Sequence, residues 1–218
     1  MRSLFASRAT YSTPELVSDG VVHVLGVVAA LSSVPVLITL TALKRGDPSA
    51  IAGTAIYGVT LIAMLLASGL YNMNRSERWT GLLRRMDHSA IYFKIAGTYT
   101  AFILLSGTGL VLAAVLWITA TAGAALKIVA PYRFRWVGLA LYFCMGWAGV
   151  VGGWQVFATM SAPVFALVVL GGLIYSIGTL FYLMERLPFH NTLWHVFVLA
   201  ASAIYYAAVT AHVMQTAA

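Results

Sequence analysis

Charge is scarce in this chain. Asp, Glu, Lys and Arg supply 9% of its 218 residues, and the acidic ones number only 6. Ordinary soluble domains carry about 25% charged residues, so a water-surrounded globule is excluded. Cysteine is almost missing: Cys144 stands alone, which rules out an intrachain disulfide. It lies in an apolar run and is expected to fill core. Sustained polar–apolar alternation is lacking, and with it the pattern of a membrane β-barrel. No cleavable leader is evident either. The opening MRSLFASRATYSTPE is polar and basic, and long apolar sequence begins only near Gly20.

What the chain has instead is apolar blocks. Hydrophobic residues make up 61% of it, gathered in runs long enough to cross a hydrocarbon core of about 30 Å. Gly and Ser are scattered through these runs, as in helices that pack closely in lipid. The net charge of +7 would suggest nucleic acid in a soluble protein. Here the cations sit in short loops, where they set topology and meet anionic headgroups. The expected partner is membrane lipid and not nucleic acid; composition gives no oligomeric state.

The expected architecture is an all-α bundle of seven transmembrane helices, residues 15–218, preceded by a basic tail, residues 1–14. Ser12 or Thr13 caps the first helix, Pro14 starts it, and Glu15 lies in its first turn. The predicted spans are 20–43, 50–71, 90–107, 110–130, 137–153, 162–184 and 192–214. A short interfacial helix is expected over Glu77–Met86, where Trp79, Leu82, Leu83 and Met86 alternate with charge. A tight turn over Ser106–Gly109 joins spans three and four. Pro35 is expected to kink span one.

Seven crossings place the termini on opposite sides. Ten cations (Arg2, Arg8, Arg75, Arg78, Arg84, Arg85, Lys127, Arg133, Arg135, Arg186) fall on the amino-terminal side, against Lys44 and Arg45 on the other. That bias predicts a cytoplasmic amino terminus and an external carboxyl terminus. Lys94 is the one cation inside a span and is expected to snorkel toward inner headgroups.

With this topology, polar groups far apart in sequence share one depth. Glu15, Asp19 and His23 open span one; Ser68 and Asn72 close span two; Asp87 and His88 open span three; His190, Asn191 and His195 open span seven. Asp19/His23, Ser68/Asn72 and Asn191/His195 are four residues apart, so each pair shares a helix face. The expectation is a polar pocket just beneath the cytoplasmic surface. His88 is assigned to the interface or a neighbouring helix, His190 to a solvated loop and His212 to a structural role.

Several stretches also resemble a known family. SGLYN, then LLRRMDHSAIYFKIAGTYTAF, are similar to motifs of the hemolysin III family, part of the larger group of progestin and adiponectin-receptor-like membrane proteins. PELVSDGVVHVLG and FHNTLWHVFVLAAS resemble its first and last motifs. The resemblance implies a seven-helix protein of a bacterial-type inner membrane, with zinc held near the cytoplasmic face by three histidines, plus a nearby carboxylate and serine. Distant relatives with that site are lipid amidases, in which the metal activates water.

His195 matches a family ligand position, and Asp87, Ser68 and His23 match their motif positions. Asn72 and Asn191, however, stand where the family has the other two histidines. A neutral amide competes poorly with imidazole for zinc. Three readings of the pocket follow. It is a hydrogen-bonded network with a degenerate zinc site, serving lipid sensing or membrane homeostasis. Or it is an altered metal site using His23, His195, Asp87 and Asp19, serving a lipid amide or ester hydrolase with Asp87 and Ser68 as catalytic groups. Or the protein is a pore, although the outer halves of the spans offer few polar groups to line one.

Overall fold

The computed structural model describes residues 11–131 and 133–217. The expected tail, with Arg2 and Arg8, lies mostly outside them. Among the described residues the elements are all helices: α1 (Thr13–Lys44), α2 (Pro48–Met73), α3 (Glu77–Ser106), α4 (Leu110–Val129), α5 (Arg135–Gly146), α6 (Ala148–Gly152), α7 (Trp154–Phe157), α8 (Ala162–Leu183) and α9 (His190–Thr216). Six of them are long and apolar enough to cross a bilayer: α1, α2, α3, α4, α8 and α9.

Each long helix starts and stops for a local reason. Ser12 caps α1 with Glu15 reaching back to it, a reciprocal capping box, and Pro14 occupies the first turn. Asp47 caps α2, accepting from the Ala50 N–H at 3.0 Å. Arg45 donates to the same carboxylate at 2.9 Å and Ser49 at 2.7 Å. Beside the Ser49 hydroxyl, the Ala50 N–H and the Arg45 guanidinium, Asp47 is held below its usual carboxylate range. Gly107 (φ 69°) and Gly109 (φ 87°) take left-handed conformations that a side chain would resist, and turn α3 into α4 within three residues.

The bundle is built inside out relative to a soluble one. On α1 the buried residues are Asp19, His23, Gly26, Ala30, Val34, Leu37 and Thr41. They form one stripe at three- and four-residue steps, polar at its beginning, apolar through Leu37, and closed by Thr41, whose hydroxyl donates to the Leu37 carbonyl. The opposite face, with Val21, Val24, Val28 and Val36, is exposed and apolar, as lipid contact requires. Helix α3 is the most buried span. It packs on α2, α4, α5 and α9. Leu37, Tyr57, Ile103, Val209 and Val213 fill one core and Tyr92, Leu116 and Met145 a second.

Three expectations need correction. The interfacial helix over Glu77–Met86 is not separate, because α3 runs unbroken from Glu77 to Ser106. Nothing between Met86 and Ala90 breaks a helix, so the basic turns continue into the span. The fifth expected span is not one helix. It breaks into α5, α6 and α7, at Gly146–Trp147 and at Gly152–Gly153, where glycine weakens the helix. The first break is patched by a side chain. The Tyr99 hydroxyl of α3 donates to the Gly146 carbonyl at 2.8 Å and accepts from the Gly149 N–H at 2.9 Å. Finally, Cys144 is exposed and does not fill core.

Contacts at both ends fix how the helices run. The start of α9 meets the start of α1, where Ser18 and Thr192 hydroxyls lie 3.1 Å apart. The end of α9 meets the start of α8, with Gln215 accepting from the Ser161 N–H at 2.8 Å. Residues of α5 lie against the end of α4, where the Lys127 ammonium contacts Gly138, and Val156 of α7 packs at Gly109, before the start of α4.

A buried carboxylate–imidazole cluster and the cavity beneath it

One turn into α1, Asp19 is buried, and its carboxylate gathers side chains from the far end of the chain. Asp19 Oδ1 lies 2.6 Å from His195 Nδ1, and Asp19 Oδ2 accepts from Asn191 Nδ2 at 3.1 Å. An ionised carboxylate only accepts, so His195 carries its proton on Nδ1. That leaves the lone pair on Nε2, toward which Asn72 Nδ2 points at 3.5 Å. Asn72 also donates to the Ser68 carbonyl at 3.0 Å and to the Ser68 hydroxyl at 3.3 Å. Asn191 Nδ2 lies 3.5 Å from Asn72 Oδ1. The two asparagines thus tie α2 to α9 around His195.

His23, one turn after Asp19, sets its ring centroid 4.3 Å from that of His195, tilted at 58°. Its Nε2 is 3.6 Å from Asp19 Oδ2, beyond hydrogen-bond reach, and this buried nitrogen has no hydrogen-bond partner among the described residues. Ligand atoms of Asp19, His23 and His195 lie within 4.8 Å of one another, and all three residues are buried. One carboxylate and two imidazoles suit a divalent transition metal with open positions. An Asp that orients a ligating His through its other ring nitrogen is a common supporting arrangement in such sites. The donor set present therefore fits a metal, through Asp19, His23 and His195 and not through the three-histidine set that the resemblance implies.

Glu15 lies one turn earlier and staples the entrance. Its carboxylate accepts from the Ser12 N–H at 2.8 Å, the Ser12 hydroxyl at 2.7 Å and the Phe189 N–H at 2.9 Å. Phe189 has φ 58°, a left-handed conformation costly for an aromatic residue. The Glu15 bond helps hold it, and so sets the angle at which α9 starts. His190 is corrected by this arrangement. It is the first residue of α9, buried, with Nε2 3.1 Å from the Tyr11 hydroxyl, and is not a solvated loop residue. Tyr11 carried no sequence signal for this role, because its partner lies 179 positions away.

Asp87 is buried at the base of α3, with Oδ2 3.9 Å from His88 Nε2. It stands outside the Asp19 triad but shares a cavity with it. That cavity, about 1670 Å³, is lined by His23, Ser68, Asn72, Asp87 and His195 among its polar groups. Met64, Phe102, Val168 and Leu199 are among its apolar walls. A smaller hollow of about 10 Å³, bounded by Tyr11, Glu15, Asp19 and Asn191, adjoins Asp19 and has room for roughly one water. His212, far along α9, is fully buried against Phe102 at 5.9 Å.

Lys94 does not snorkel. It is 3% exposed and lines the cavity, its ammonium 4.7 Å from the Tyr205 ring and 5.1 Å from that of Tyr175. It lies seven residues after Asp87, two turns along the same face, and that face looks into the bundle.

Long apolar helices enclosing a buried carboxylate–imidazole cluster at one end define an integral membrane protein of helix-bundle type. Comparison with known proteins names the group more closely. The family model described as haemolysin-III related matches residues 12–206, and the chain belongs to that family. It is 35% identical to "Hemolysin-3" of Bacillus cereus over 216 residues, 97% of each chain. It is also 35% identical to the "Hemolysin-3 homolog" of Bacillus subtilis (strain 168) over 196 residues, 88% of this chain and 92% of the relative. A more distant relative is the human "Monocyte to macrophage differentiation factor", 27% identical over 165 residues, 71% of this chain and 67% of the relative.

Proposed function

We propose that the protein binds a membrane lipid or lipid-derived amphiphile in the central cavity, with the Asp19–His195–Asn72 cluster at its headgroup end, and senses it through helix packing. The observation that carries this reading is the cavity itself. At about 1670 Å³ it exceeds the 300–1,000 Å³ of common small-molecule sites. His23, Asn72, Asn191 and His195 stand together on its wall, and Met64, Phe102, Val168 and Leu199 are among its apolar lining. Asp19, Asn72 and Asn191 join α1, α2 and α9 there, so a headgroup that competes for those bonds shifts how the three helices pack. In this reading α5–α7 supply a seventh crossing. In the same reading the cluster faces the cytoplasm, the side that the cation distribution favours, in an inner membrane of bacterial type.

The test is native mass spectrometry of the full protein released from nanodiscs. Wild type is expected to retain a bound lipid-sized mass. Val198→Trp, which fills the cavity, and Asn72→Ala, which cuts the tie to His195, are expected to lose it. Wild type free of any such mass under mild release would overturn the reading.

A second reading is favoured by the partnerless Nε2 of His23. Asp19, His23 and His195 would hold a divalent metal, and the ion would supply Lewis-acid chemistry for hydrolysis of a lipid amide or ester. Ser68 and Asp87, on the same cavity wall, would bind and orient the substrate. Elemental analysis of purified protein decides it: one zinc per chain, lost in His23→Ala and His195→Ala, supports the site, and metal-free protein sinks it.

A further inference from the structure

Lys94 is 97% removed from solvent in the middle of the most buried helix, on the wall of the cavity. Among the described residues no carboxylate stands within ion-pair distance of it. The faces of Tyr175 and Tyr205 meet its ammonium at 5.1 and 4.7 Å. Ring faces attract a cation, yet an ammonium has three hydrogens to donate and the rings accept none of them strongly. Tyr175 already spends its hydroxyl on Ser202 at 2.8 Å. A membrane-buried cation without a counter-ion is costly and marks a place where charge is supplied from elsewhere.

We propose that Lys94 is the counter-ion for a singly charged anionic amphiphile whose apolar chain lies along the cavity. This rests on the lipid-pocket reading above and names the chemical class of its ligand. Lys94 calls for one negative charge at its own place on the wall; Lys127, the other buried lysine of the lining, lies in the last turn of α4. Phe102, Leu112, Val168 and Val198 line the same cavity, and a bare inorganic anion would leave them facing an unfilled apolar volume. Lys94 lies about 10 Å along α3 from Asp87, two helical turns deeper, and among the described residues the hydrogen bonds and ion pairs of Asp19 do not include it. The anion could come from a single-chain acid or from a two-chain acidic phospholipid, which offer the same charge and the same apolar body.

The experiment compares radiolabelled hexadecanoic acid with its methyl ester on the full protein in detergent. The wild type is expected to prefer the acid by about 10- to 100-fold, the range of a charge-assisted contact. Lys94→Met is expected to bring the two within about twofold while leaving ester binding unchanged. Lys127→Met, at the other buried lysine, is expected to keep the preference. Lys94→Met removes a buried charge and is expected to fold, and Lys94→Arg is expected to retain the acid preference. Equal binding of acid and ester by the wild type, or a preference that survives Lys94→Met, overturns the assignment and leaves the pocket standing. Absence of binding by both probes overturns the pocket and the assignment together. Displacement of the labelled acid by phosphatidylglycerol identifies the two-chain source, and failure to displace it identifies the free acid; the Lys94 site stands in either case.

Discussion

Asp19 answers to two donors of one helix, α9, and the cost of losing it can be read at the residue scale. Asp19→Ala leaves the buried His195 Nδ1–H without its acceptor and the half-buried Asn191 amide with only the longer contact to Asn72 Oδ1. Unfolding in detergent is expected to show a loss of about 1–3 kcal/mol for each group stranded. Asp19→Leu combined with His195→Leu removes both partners, and its loss is expected to fall below the sum of the single variants. Strict additivity would show that the contact contributes nothing. Asp47 gives a pH signature at the other end of α1. Its folded pKa lies below the ordinary 3.8. Its contribution is therefore full above that value and fades as pH falls through it. Asp47→Asn is expected to lower the unfolding midpoint at pH 7, with the gap to wild type closing as pH drops below about 4. Asp19, Asn191 and His195 are candidates from sequence alone, because loop charge and span order assign them to one depth; Asp47 is not. Which carboxylate sits between the histidines was not legible. Asp19 and Asp87 both head a span, and only tertiary packing places one against His195 and the other beside His88.

At the scale of elements, close approach and broken helix carry the predictions. Gly97 of α3 lies so near Thr60 of α2 that an added Cβ would overlap its hydroxyl, whereas Gly81, lower on α3, faces open space. Gly97→Val is expected to lower the melting temperature in detergent by several degrees, and Gly81→Ala to leave it unchanged. A Gly97→Val protein as stable as wild type would mean that α2 and α3 separate freely. Tyr99→Phe removes the hydroxyl that serves both Gly146 and Gly149. Hydrogen exchange over residues 146–153 is expected to quicken while α2 and α9 keep their protection. Six long helices were readable from apolar run length, since that property is local. The segmented stretch α5–α7 was not, because its glycines weaken a helix without forbidding one. A tyrosine 47 residues away supplies the bond that makes the break tolerable. Lys94 was misread for a similar reason. Its position on the chain allows either a reach to headgroups or a turn inward, and the rings of α8 and α9 decide it.

For the whole molecule, the arrangement of helix ends bears on orientation and on assembly. If the cluster faces the cytoplasm, the α1–α2 loop at Ser49 faces outside. In a Cys144→Ser background, Ser49→Cys is expected to react with a membrane-impermeant thiol reagent added to intact cells, and Arg186→Cys only after lysis. The reverse pattern would invert the protein in the membrane. Assembly follows from the span of one bond. Asp19 and His195 are separated by 176 positions. A ribosome adding 5–20 residues per second needs roughly 10–35 s to travel that distance. Throughout that interval the first helix waits at the bilayer edge with an unanswered acid. The cluster therefore exists only in a finished polypeptide, and a chain truncated before its last helix presents to quality-control proteases a carboxylate with His23 beside it but without the His195 and Asn191 donors that satisfy it.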